Sequence, residues 1–186
     1  MPDPAADYGT ASKSLHWLIA ALLLAQFPLG WLMPDIRRGM MPGTPMMVHV
    51  SIGTVIFALI ILRLVWRLTH PVAPDTALPA WQRTASGAVH WLLYVLVLAT
   101  TLSGWFYVSM RGWTIDVFGL LRLPGLVEQG SQLGRSLGRL HEGLTAALAV
   151  LVGLHVGAAL VHLFVYRDRI MQRMLPRSWQ RSTVEV

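Results

Sequence analysis

The sequence predicts an all-α fold, an integral membrane four-helix bundle forming one domain over residues 1–186. Two observations predict it. Of the 186 residues 54% are hydrophobic and 13% charged, with a mean hydropathy of +0.53, whereas soluble domains carry about 25% charged residues. The apolar residues also gather into four stretches, each near the ~20 residues that cross ~30 Å of hydrocarbon as a helix.

The first stretch, approximately 15–33, follows a polar head whose one base is Lys13 and ends in FPLGWLMPD, with no small-x-small cleavage site. It is expected to be a retained helix and not a signal peptide. The link PDIRRGMMPGTPMM is short and rich in turn formers, so the second span, 48–66, should run antiparallel beside the first. The proline-rich THPVAPDTALPAWQR makes an extended surface link to the third span, 88–108. The longest connection, about 109–139, precedes the fourth span, 144–166. Its latter part, EQGSQLGRSLGRLHEG, is expected to form a short interfacial helix. Trp17, Trp31, Trp66, Trp91 and Trp105 fall near span ends, where indole rings anchor at the membrane interface.

Four spans put both termini on one side. With the N-terminus in the cytoplasm, nine bases lie inside (Lys13, Arg63, Arg67, Arg83, Arg167, Arg169, Arg173, Arg177 and Arg181) and six outside (Arg37, Arg38, Arg111, Arg122, Arg135 and Arg139). That is the sense of the positive-inside rule. The net charge of +6 suits membrane lipid or an anionic substrate. Nucleic acid is not an expected partner, because the arginines cap spans and form no patch interleaved with aromatics. The absence of cysteine excludes disulfides, thiolate metal sites and covalent c-type haem.

Imidazoles inside a bilayer are functional candidates, although any one alone serves equally well as an interhelical hydrogen bond. Their relative depths carry the argument. At ~1.5 Å and ~100° per residue, His141 and His155 lie ~21 Å apart along the fourth helix and only ~40° out of phase. One helix face therefore offers an imidazole at each of two depths. Across the bundle, His49 opens the second span on the outer side and His16 opens the first on the inner side. The outer pair is His49 with His141. At the inner end His162, ~20° out of phase with His155, competes with it, and His90, opening the third span, competes with His16. His70, before Pro71, reads as a solvated loop residue.

Zinc needs more protein ligands than two imidazoles supply. Haem iron needs only two axial ligands, because the porphyrin fills the other positions, and bis-histidine iron suits electron transfer. Two haems stacked across the bilayer are thus the expected cofactors. Gly53, Gly153 and Gly157, near these histidines, leave room for a macrocycle or for close helix contact. Arg63 with Arg67, or Arg37 with Arg38, suits haem propionates or marks topology.

Taken together, SLHWL, MMVHVSIG, RLVWRL, MRGW, VFGL, LHEGL, GLHVGAALVHLF and MQRMLPR make nearly the whole chain resemble the bacterial cytochrome b561 family, di-haem proteins of the inner membrane. The resemblance implies two haem b groups, one held by His16 and His155 on the inner side, the other by His49 and His141 on the outer side. It further implies a superoxide:ubiquinone oxidoreductase, an enzyme in which superoxide gives an electron outside and ubiquinone is reduced inside. The outer arginines Arg37, Arg38, Arg111, Arg135 and Arg139 would then steer the anion. His162, His90 and Ser14 are candidates for the quinone site, an imidazole there being able to supply protons. An alternative is a cytochrome b anchor subunit that relays electrons from a periplasmic dehydrogenase or hydrogenase, its redox protein donor, to quinone. A haem-free scaffold and ascorbate-driven electron transfer are the remaining rivals.

Overall fold

The computed structural model describes residues 8–34, 39–73, 78–168 and 170–175. It contains four helices long and apolar enough to cross a membrane: α1 (Thr10–Trp31), α2 (Thr44–Thr69), α3 (Ala80–Met110) and α4 (Gln132–Val161). Each expected span lies within one of them or overruns it only at an end. In a bilayer every backbone group must be satisfied within the segment, which is why such apolar stretches fold as helices. Large apolar side chains such as Leu24, Val150, Leu154 and Phe164 point outward, as a lipid-facing surface requires. Mid-bundle, Ile19, Ile56, Ile60, Tyr94, Val97 and Leu148 pack as a buried cluster joining all four helices.

The helices are longer than hydropathy alone indicates. α3 begins at Ala80, directly after Pro79, so His90 sits well inside it and does not open it. α4 begins at Gln132, where the Ser131 hydroxyl accepts from the Gly134 amide, a standard N-cap. The stretch expected to be a separate interfacial helix is therefore the first part of α4. The reason lies in Gly134 and Gly138. A Cβ on Gly134 would stand 2.4 Å from Cβ of Met110, and one on Gly138 would stand 2.1 Å from Cδ2 of Tyr107. Two glycines one turn apart let α4 close directly on α3, as small-xxx-small pairs do in membranes.

The connection between α3 and α4 also contains a hairpin not expected from the sequence, β1 (Ile115–Val117) with β2 (Leu121–Leu123), antiparallel with Asp116 opposite Arg122. Its turn holds Phe118 at φ 52° and Gly119 at φ 77°, the positive-φ geometry of tight hairpins. Ser51 of α2, 2% exposed, pins it by donating to the Asp116 carbonyl (3.1 Å) and accepting from the Phe118 amide (3.2 Å). Val108, Trp113 and Ile115 form a second apolar cluster with Met46 and Val50, seating the hairpin beside the His49 end of the bundle. At the opposite end α4 continues as a π-helical turn, His162–Tyr166, and a short 3-10 turn, Gln172–Met174, follows.

Candidate functional site

Two histidine pairs face each other at opposite ends of the bundle. His16 of α1 and His155 of α4 have ring centres 6.2 Å apart at an interplanar angle of 80°. His49 of α2 and His141 of α4 have ring centres 6.4 Å apart, again at 80°. A metal–imidazole bond is about 2 Å and the ring centre lies about 1 Å beyond the nitrogen, so one iron between two imidazoles sets their centres roughly 6 Å apart. Both pairs match that spacing. His90 is closer to His155, at 5.2 Å, tighter than one bridging iron sets. Among the described residues no three His, Cys, Asp or Glu side chains converge on one point as a metal-ion site.

The His49 end is shaped for imidazoles. His141 Nδ1 donates to the Thr100 carbonyl at 2.8 Å, with the Ser103 hydroxyl at 3.2 Å, which leaves Nε2 with its lone pair, the form a metal takes. His49 Nδ1 is buried with no hydrogen-bond partner, a position where a further group completes the bonding. A Cβ on Gly104 would lie 3.1 Å from His141 Cε1, and one on Gly30 would lie 3.2 Å from His49 Cε1. Glycine at these two places lets the rings sit where any Cβ would press them back by a few tenths of an ångström. Gly53 instead makes room for Gln26, whose Nε2 donates to the His49 carbonyl at 2.9 Å, while Gly153 and Gly157 face open space beside His155, compatible with a macrocycle. The residues thus fit haem at both pairs.

At the His16 end, Arg63 lies within electrostatic range of His16, His90 and His155 and donates from Nη1 to the Ser12 carbonyl at 2.7 Å. His90 Nδ1 donates to the Ser86 carbonyl at 2.6 Å. Lys13, 8% exposed, donates to the Leu175 carbonyl (3.0 Å) and Trp17 to the Met174 carbonyl (2.8 Å). These bonds draw the 3-10 turn across the start of α1. His162 is held by Asp168, with Nδ1 to Oδ2 at 2.5 Å. Ser14 is exposed, and two residues on a helix separate it from the His16 face by ~200°. His70 is exposed and stacks on Trp66 at 4.0 Å.

The arginines of the other end do not form one cluster. Arg111 lies over the rings of Trp113 (4.8 Å) and Tyr107 (5.7 Å). Arg122 pairs with Asp116 at 3.3 Å, and Arg135 and Arg139 are exposed along the first turns of α4. Arg37 and Arg38 lie outside the described residues. The sequence reading missed Gly30 and Gly104, because close approach is a property of two helices together. It missed Asp168 because six residues along a regular helix is ~240° away from His162; the π-helical turn and Arg167 at φ 54° bring the carboxylate back.

Four apolar helices that hold paired imidazoles at two depths define a membrane electron-transfer bundle. The family model for prokaryotic cytochrome b561 matches residues 7–177, and the chain belongs to that family, whose members are integral membrane proteins that bind haem b. It is 32% identical to cytochrome b561 homolog 2 of Escherichia coli K12 over 92% of each chain. It is 28% identical to a probable superoxide oxidase CybB of Yersinia pestis over 91% of this chain and 96% of that one. Against cytochrome b561 homolog 1 of Escherichia coli K12 the identity is also 28%, over 88% and 93%.

Proposed function

We propose that this protein oxidises superoxide on the periplasmic side of a bacterial inner membrane and reduces ubiquinone near the cytoplasmic side, with both termini cytoplasmic. His49 with His141 would hold one haem b and His16 with His155 the other, the latter with Arg63 for its propionates. The observation that carries this reading is the matched spacing of the two pairs, 6.2 and 6.4 Å, at opposite ends of one bundle. The relative named as a probable superoxide oxidase supports the choice of donor. Bound haem supplies a one-electron couple whose iron is saturated by imidazole and closed to oxygen ligation.

The chain's own residues do the rest. Thr100 and Ser103 hold His141 in the metal-binding tautomer, and Gly30 and Gly104 admit the rings. Two superoxide anions each lose one electron and leave as dioxygen, drawn by the positive field of Arg111, Arg135, Arg139, Arg37 and Arg38. One quinone takes up the two electrons and two protons at the other end, where His162 is the proton donor and His90 a further polar contact; Ser14, turned away from the His16 face, takes no part.

The test is the visible spectrum and haem count of the detergent-purified chain, followed by addition of a superoxide source and then a soluble quinone. Two haems reduced by superoxide and reoxidised by quinone are expected. A single haem, or none, would remove the paired-histidine argument. The alternative, a cytochrome b anchor for a dehydrogenase or hydrogenase, draws support from the hairpin that leaves Phe118, Leu120 and Leu121 exposed at the His49 end. It predicts two haems that superoxide leaves oxidised.

A further inference from the structure

The last turns of α4 place a carboxylate on an imidazole where an ordinary helix would not. His162 Nδ1 lies 2.5 Å from Asp168 Oδ2, and the two side chains are 17% and 29% exposed. The other carboxylate oxygen accepts from the Ile170 amide at 3.1 Å, and the Asp168 amide donates to the His162 carbonyl at 3.2 Å. Both ends of Asp168 are thereby fixed. π-Helical turns cluster at functional positions, and this one begins at His162 itself. His162 is seven residues, ~10 Å of helix rise, beyond His155.

The geometry points to Asp168 as the residue that positions His162 as proton donor to the quinone, a role that rests on the quinone-reducing reading above. With Nδ1–H engaged by the carboxylate, Nε2 is the nitrogen left for a substrate. The protonated ring gives its Nε2 proton to a quinone oxygen: that N–H bond breaks, an O–H bond forms, and neutral imidazole remains on Asp168. A proton from solvent water at this end then returns to Nε2 while Asp168 keeps Nδ1–H in place. Two such transfers, with two electrons from the electron donor, convert quinone to quinol. Asp168 touches no substrate. It acts by fixing the tautomer and the orientation of its neighbour.

The test uses Asp168→Asn, which keeps the shape and one acceptor oxygen, enough for Nδ1–H or for the Ile170 amide but not both, and removes the charge, alongside His162→Gln and Asp168→Glu. Haem content and the reduced spectrum, read first, show that each variant is folded. In stopped flow, reoxidation of the pre-reduced protein by a soluble ubiquinone analogue should slow about 10- to 100-fold in Asp168→Asn. The quinone concentration for half-maximal rate should stay nearly constant, the solvent isotope effect should increase, and Asp168→Glu should recover much of the rate. In the reduced protein labelled with 15N-histidine, the far-downfield Nδ1 proton that His162→Gln abolishes should move upfield in Asp168→Asn. If His162→Gln slows reoxidation while Asp168→Asn stays within twofold of the parent, the role of Asp168 is overturned and the quinone site stands. If both variants reoxidise like the parent, the quinone reading at this end fails with it.

Discussion

On the proposed two-haem reading, Gly104→Val should cost the protein one haem and leave the other untouched. A Cβ at position 104 would stand 3.1 Å from Cε1 and 3.3 Å from Nδ1 of His141, against about 3.5–4.0 Å for a comfortable carbon contact. Alanine asks the ring to retreat by a few tenths of an ångström. Valine adds methyls about 1.5 Å further out and asks the ring to leave. The ring cannot retreat freely, because its Nδ1 is anchored on the Thr100 carbonyl at 2.8 Å. Breaking that bond costs about 1 kcal/mol and overpacking adds about 1–3 kcal/mol. At 1.4 kcal/mol per factor of ten, a total of about 2–4 kcal/mol weakens haem retention roughly 30- to 700-fold. Pyridine haemochrome should count close to one haem per chain, with a redox titration collapsing from two waves to one. Gly30→Val, acting on His49 from the facing side at 3.2 Å, should remove the same wave. Two haems with unaltered waves in Gly104→Val would refute the assignment of His141 as an axial ligand.

Three further outcomes are expected. His90→Ala should keep both haems, since its 5.2 Å approach to His155 is tighter than an axial pair, whereas His16→Ala and His155→Ala should each lose one by the same haem count. Reduction by superoxide should slow as ionic strength rises from about 0.01 to about 0.15 M, where the Debye length contracts from about 30 to about 8 Å, and the double variant Arg135→Glu with Arg139→Glu should slow it further without loss of haem; stopped-flow rates at fixed superoxide flux check both. Ser51→Ala should remove both hydrogen bonds that pin the hairpin, at about 2 kcal/mol in total, and hydrogen exchange at the Phe118 amide should accelerate at least tenfold while both haems remain.

The spans and the histidine depths were legible because each is a property of one helix: length, apolar content and a 3.6-residue period suffice to place His141 and His155 on one face. What was hidden depends on two segments at once. The hairpin strands Ile115–Val117 and Leu121–Leu123 are three residues each, too short for a period, and their anchor is a serine in α2. The early start of α4 was masked by Arg135 and Arg139, which lower the hydropathy of a stretch whose Gly134 and Gly138 nevertheless seat it on α3. Gly30 and Gly104 look like ordinary membrane glycines until the opposing ring is known. The sequence reading instead weighed Gly53, which serves Gln26.

The proposed function gives the two ends of the bundle different tasks, and the distribution of polar side chains supports that division. At the His49 end each imidazole is hemmed by a glycine from a neighbouring helix, and one is locked to a carbonyl. The remaining charges there are mostly arginines on the loops and on the first turns of α4. Under the proposed function this end serves a donor that gives up an electron alone. At the His16 end the paired rings are joined by two more histidines, His90 and His162, by the Arg63 guanidinium and by a carboxylate that reaches His162 only because the helix widens into a π turn. A buried lysine and a tryptophan bind the following 3-10 turn across α1, so this end carries several titratable side chains and a covering turn. Under the proposed function an acceptor that takes protons together with electrons would be served at that end, and electrons moving from the first end to the second would carry the chemistry in one direction across the membrane.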